Sequence, residues 1–179
     1  MISSKIQKVN LLIISTVLFS LLFLNQGFAH GKNRGTATAK IGEKAISVDY
    51  GRPSWGKVDR LSQAPEGFVW RMGMDKATHF TSEVDLVFGE KIIPKGTYTL
   101  FMRHITADKW HLIVNKQTGQ WGSNYDKKQD FVVIPLTMEK TEKQVEKMTI
   151  EISTEKKGHG TLSLLWGPYV ISSKFLVKK

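Results

Sequence analysis

The chain of 179 residues contains no cysteine. Disulfides, thiol redox chemistry and cysteine-based zinc sites are therefore excluded. A domain of this length can be stable through burial alone, so the absence carries no penalty for folding. No long amphipathic helix can be found. Catalytic signatures are missing too: there is no Gly-x-Ser-x-Gly and no His-Glu-x-x-His. The five histidines include no His-x-His or His-x-x-x-His pair, so no metal site is predicted from spacing. Gly51 to Lys57 has phosphate-loop spacing, but Val58 stands where a hydroxyl would hold magnesium. Pro53 also removes one N–H from that cradle, and the match is read as chance. Aromatics are not set among basic residues, and no nucleic-acid partner is expected.

One long apolar run is present. Lys5 and Lys8 precede Leu11–Leu24, which only Ser15, Thr16 and Ser20 interrupt; Gly27 and Ala29 are the small residues of a cleavage site. This order predicts a signal peptide over residues 1–29 and export to the periplasm or beyond. The run is short of the ~20 apolar residues of a spanning helix, so no membrane span is expected after cleavage. Processing after Ala29 would expose His30, whose terminal amine and imidazole form a nitrogen pair suited to Cu(II). The competing reading makes His30 the first residue of a flexible arm, 30–35. The formal net charge is +10, and without Lys5 and Lys8 it is +8. A basic balance favours anionic ligands or surfaces. Part of it is a solvated face, since Lys140, Lys143 and Lys147 alternate with Glu139, Glu142 and Glu146.

Beyond residue 35, short segments rich in β-branched and aromatic residues recur between turn signals. Strands are predicted at 36–41, 45–50, 68–71, 79–81, 84–88, 97–103, 110–115, 131–138, 148–153, 161–166 and 169–177. In 110–115 Trp110, Leu112 and Val114 share one face. Pro94-Lys95-Gly96 suits a type I turn, and Thr141-Glu142-Lys143-Gln144 suits a single capped helical turn. The pattern predicts one all-β domain over 36–177, an antiparallel β-sandwich or barrel-like fold.

Segment 51–79 breaks the strand rhythm with Gly51, Pro53, Gly56, Pro65, Gly67 and Gly73. Long loops on β scaffolds often carry function. Within it, Arg52 and Arg71 offer planar donor forks beside Trp55 and Trp70, a combination suited to an anion or a sugar. The structural alternative pairs each arginine with Asp49, Asp75 or Asp85. Asp75, Thr78 and His79 could act as an acid–base group in a hydrolase or lyase. Asp126 and Asp130 read as turn caps around Gly122-Ser123-Asn124, and Trp110, Trp121 and Trp166 as core or rim aromatics.

Several of these segments together resemble a known family. Asp49-Tyr50-Gly51-Arg52-Pro53, Val69-Trp70-Arg71-x-Gly73, Ala77-Thr78, Ile93-Pro94-x-Gly96-Thr97-Tyr98, Trp110–Asn115 and Gln120-Trp121-Gly122 occur in this order. The set is similar to domain-of-unknown-function family 2911, a group of exported bacterial proteins, over about residues 36–177. Family members read Trp-Arg-Thr-Gly-Ala-Asn where this chain has Trp70-Arg71-Met72-Gly73-Met74-Asp75, an acid in place of an amide. The resemblance implies an exported β domain and brings no catalytic residue or cofactor. The residues predict a non-enzymatic module binding a small anionic or carbohydrate ligand, or a cell-envelope partner, through Arg52, Trp70, Arg71, Asp75, Thr78 and His79.

Overall fold

A computed structural model describes residues 33–178, and the segment 1–29 predicted as a signal peptide and His30 lie outside them. The fold is all-β. The strands are β1 (Arg34–Ile41), β2 (Lys44–Gly51), β3 (Val69–Trp70), β4 (Thr78–Ser82), β5 (Leu86–Phe88), β6 (Lys91–Ile93), β7 (Gly96–Thr106), β8 (Lys109–Asn115), β9 (Asp130–Thr154) and β10 (His159–Val177). They form a single antiparallel sheet in the order β1-β2-β4-β7-β8-β9-β10-β5-β6, with β3 beside β7. Arg34 and Gly35, at the end of the segment read as an arm, already pair with Gly51 and Tyr50.

Alternation decides which face is inward. Val48 and Tyr50 of β2, Phe80 of β4, Leu100 and Met102 of β7, and Trp110, Leu112 and Val114 of β8 enter one core. Met148 and Ile150 of β9 and Leu162, Leu164 and Trp166 of β10 join the same cluster. The two halves of one sheet thus face each other across shared apolar contacts. Each fully buried large side chain contributes about 1.5–3 kcal/mol.

Two predicted boundaries dissolve. Segments 131–138 and 148–153 belong to one strand, β9, and segments 161–166 and 169–177 to another, β10. The helical turn predicted at 141–144 is extended instead. Lys140 pairs with Tyr169 and Val145 with Gly167, so the ladder resumes on both sides of the bend and outweighs a local capping signal. The chain past β2 also pairs with β9: the Met148 N–H donates to the Pro53 carbonyl (3.0 Å), and Ser54 bridges Lys147. Residues 53–55 of the segment with phosphate-loop spacing therefore lie along a ladder on β9.

The outward face of β7 and β8 is also covered. Phe101 and Ile113 are buried there, outside the main core cluster, beneath the loop 116–129. Tyr125 of that loop packs its ring 4.8 Å from Phe101. The loop is pinned from below: Asn115 Nδ2 donates to the Asp126 carbonyl and to Asp130 Oδ1, both at 2.9 Å. Asp126 Oδ1 caps the 3-10 turn Lys127–Gln129 by accepting from the Lys128 N–H.

Candidate functional site

Strands β3 and β4 pair with the same edge of β7, β3 at Arg103 and Met102 and β4 from Leu100 onward. The chain between them, 71–77, cannot lie flat along that edge and loops out. Met72 and Asp75 adopt positive φ, 47° and 60°, which costs about 1–3 kcal/mol each in a non-glycine residue. Neighbouring contacts hold them there. Thr78, fully buried, donates its hydroxyl to the Met72 carbonyl at 2.8 Å. The Gly122 N–H donates to the Asp75 carbonyl at 2.9 Å, and Ala77 N–H to the Gln120 carbonyl at 3.2 Å. The segments approach each other closely at two glycines. A Cβ on Gly51 would sit 2.1 Å from the Met74 carbonyl oxygen, and one on Gly122 would sit 2.8 Å from Arg71 Cδ. The motif segments 49–53, 69–73 and 120–122 meet here, Gly51 against Gly73 and Met74, and Gly122 against the Arg71 stem.

Arg71 borders a cleft of about 990 Å³, within the ordinary range for small-molecule sites. One wall is the loop after β2, with Val58, Leu61 and Phe68. The opposite wall is Gly122, Ser123 and Tyr125. Trp70, Trp110, Trp166 and Phe101 also line it. Trp70 stacks on Trp166 with centroids 5.2 Å apart and planes at 14°, and Trp55 meets Trp166 edge-on at 5.1 Å. Among the described residues the Arg71 guanidinium has no hydrogen-bond or ion-pair partner, and the indole N–H groups of Trp110 and Trp166 are buried without one. The lining residues include Arg60 and Arg71 and no aspartate or glutamate.

Both walls are fixed. Tyr169 donates its hydroxyl to Asp59 Oδ2 at 2.6 Å, and Asp59 Oδ1 accepts from the Ser62 N–H at 3.0 Å. Burial pushes the Asp59 carboxyl up, but the bonds from Tyr169 and Ser62 outweigh it and leave its pKa below the ordinary value. Gly67 N–H and His104 N–H each donate to the other segment, to the His104 and Phe68 carbonyls. Opposite, Tyr125 donates to Asp130 Oδ2 at 2.6 Å and accepts from Arg103 at 3.1 Å. Burial and the Asp130 bond push the Tyr125 phenol up to about 12, with Arg103 pulling back, so it stays protonated near neutral pH.

Of the six residues singled out from sequence, Trp70 and Arg71 come together in the cleft. The other four do not line it. Arg52 follows β2 and donates to the Met148 carbonyl and Thr149 Oγ1, both at 3.1 Å, tying β2 to β9. Thr78 is the brace for Met72. The Asp75 carbonyl accepts from the Gly122 N–H, and Asp75 is not among the residues that line the cleft. His79 sits on the outward face of β4 opposite Asp49 and Thr99, and its Nε2 accepts from the Gly119 N–H at 3.0 Å. Burial and the positive charges of Arg34 and Lys76 lower its pKa, against the pull of Asp49. The proposed acid–base partnership of Asp75 and His79 therefore has no place in the cleft. Arg34, not Arg52 or Arg71, is paired with Asp49. Trp110 and Trp166 are buried, and Trp121 is exposed on the loop.

Sequence reading missed Phe101, Tyr125 and Arg60. Phe101 was detectable: Leu100-Phe101-Met102 is an unbroken apolar run, the mark of a strand covered on both faces. Tyr125 and Arg60 lie on loops whose path no local pattern dictates.

This combination of one folded-over antiparallel sheet and a loop-walled cleft defines a β domain with a small-molecule-sized site. The chain matches the family described as Protein of unknown function (DUF2911) over residues 32–175, and it belongs to that family. No curated protein matches it. No solved structure matches it.

Proposed function

We propose that this protein is a non-catalytic binding module whose cleft holds a small anionic ligand. The observation that carries this reading is Arg71. Thr78 donates to its carbonyl and Gly122 lies against its aliphatic stem, yet Arg71 borders the cleft and its guanidinium has no partner among the described residues. An arginine without a counter-charge among the described residues, in a cleft whose described lining has no carboxylate, is a preorganised receptor for an anion. The aromatic lining supplies a body for the ligand to lie against. A nucleophile–base pair is lacking among the cleft residues, since Tyr125 is committed to Asp130 and Arg103. The same reading has the binding occur outside the cytoplasm, supported by the signal-like order of residues 1–29.

A thermal-shift panel of organic anions and neutral sugars tests the proposal. At least one anion is expected to raise the Tm of the wild type and to lose that effect in Arg71→Met, which keeps the aliphatic stem and removes the fork. If every active compound acts equally on both proteins, the reading fails.

A further inference from the structure

The cleft lining separates ligand classes that an arginine alone does not. Binding a neutral sugar takes several in-plane hydrogen-bonding groups around one stacking face. Here the uncharged side-chain hydrogen-bonding groups are Ser54, Gln63, Ser123, the indole N–H groups of Trp70, Trp110 and Trp166, which only donate, and the Tyr125 hydroxyl, which is already spent on Asp130 and Arg103. Phosphate sites use clustered cations or a run of backbone N–H groups at a helix start. No α-helix is present among the described residues, and two arginines are the whole cationic lining.

The apolar share is large. Phe68, Trp70, Phe101, Trp110 and Trp166 are joined by aliphatic Val58 and Leu61. Val58 and Phe68 are 51% and 43% exposed, although both border the cleft. Large apolar side chains left in water at the rim of a cavity mark where apolar ligand surface is covered. A planar guanidinium fork matches one carboxylate bidentately.

We infer that the ligand is an amphiphilic monoanion, a carboxylate on an apolar body, with its head on Arg71 and its body between Phe68 and the Trp70–Trp166 stack. This rests on the binding-module reading above and narrows it to one chemical class. The body is either a ring or a chain, and the shared chemistry is the carboxylate-bearing hydrocarbon.

Calorimetric titration with four probes decides: 2-naphthoate, decanoate, the neutral 1-decanol and inorganic phosphate. Naphthoate or decanoate is expected to bind and to change tryptophan fluorescence; whichever is tighter identifies ring or chain. Decanol should bind about ten- to a hundredfold more weakly than decanoate, the value of a charge-assisted hydrogen bond. Arg71→Met should bring decanoate down to the decanol affinity, with an unchanged circular dichroism spectrum showing that the variant folds. Phe68→Ser should weaken both decanoate and decanol and leave their ratio intact. If phosphate binds in an Arg71-dependent way and both carboxylates do not, the amphiphile is wrong while the binding module stands. If decanol matches decanoate, the role of Arg71 is wrong. If none of the four binds, and the anion and sugar panel shifts no Tm, the module itself is overturned.

Discussion

Adding one methyl group at Gly122 should disturb both the fold and the placement of Arg71. An alanine Cβ there would meet Arg71 Cδ at 2.8 Å, the Asp75 carbonyl oxygen at 2.8 Å and Arg71 Cβ at 3.4 Å. Atoms do not pack that closely, so a neighbour must move. The Asp75 carbonyl is backbone and is held by the Gly122 N–H itself at 2.9 Å; the arginine stem is the softer side. Overpacking of this kind costs about 1–3 kcal/mol, and the reduced entropy of the unfolded chain returns about 0.4–1 kcal/mol. A net loss of about 1–2 kcal/mol is expected, and with about 2–4 °C per kcal/mol for a chain of this size the Tm should fall by about 2–8 °C. Urea unfolding of Gly122→Ala, Arg71→Ala and the double variant separates the two contacts. Removing the arginine stem relieves the Cδ clash, so the double variant should be more stable than the sum of the singles predicts by about 0.5 kcal/mol or more. Additive effects, or a Gly122→Ala protein as stable as wild type, would refute the contact.

Other consequences follow from the same bonds. Thr78→Val removes the hydroxyl that satisfies the Met72 carbonyl in a fully buried position, and should cost about 1–3 kcal/mol in urea unfolding; Thr78→Ser, which keeps the hydroxyl, should cost less. The His79 ring must be unprotonated at Nε2 to accept from Gly119. Its folded pKa lies below the ordinary 6.5, so the unfolded chain takes up the proton first. Its contribution is therefore complete above about pH 6.5 and is lost as the pH falls through the folded pKa. The Tm of His79→Gln should accordingly change less than that of wild type between pH 8 and 5, and parallel profiles would contradict the bond. Asp130→Asn removes the charged acceptor of Tyr125, and the phenol, pushed up to about 12 in the wild type, should ionise at lower pH by ultraviolet absorbance.

Much of the scaffold was legible because strands advertise themselves by period. Trp110, Leu112 and Val114 alternate with His111, Ile113 and Asn115, and the inward set is the one in the core. At Pro94-Lys95-Gly96, which suits a type I turn, the chain only bends at Lys95 and passes from β6 into β7, strands that do not pair with each other. Long-range pairing was not legible. Nothing local tells that residues 139–147 stay extended because β10 runs beside them, or that residues 53–55 continue as a ladder on β9. The same limit governs the site. Trp70 and Arg71 were found because an arginine next to a tryptophan in a glycine-rich loop is unusual on a strand. Arg52 has the same local look, yet its guanidinium turns to Met148 and Thr149, almost a hundred residues away in sequence. His79 and Thr78 were attractive as chemistry and serve as braces, His79 for the loop at Gly119 and Thr78 for Met72. The loop 116–129, which supplies a whole wall of the cleft, carries turn residues but no sign of where it folds back.

The binding role of Arg71 is tested most directly by nuclear magnetic resonance of the arginine side chains. In protein labelled with nitrogen-15, each guanidinium Nε–H gives its own signal. Arg34 is tied to Asp49, Arg52 to β9 and Arg103 to Tyr125 and Asp130. Titration with 2-naphthoate or decanoate should move the Arg71 signal saturably, together with the indole signals of Trp70 and Trp166, and leave Arg34, Arg52 and Arg103 in place. An Arg71 signal that stays still while others shift, or a spectrum that does not respond to any anion, would contradict the account.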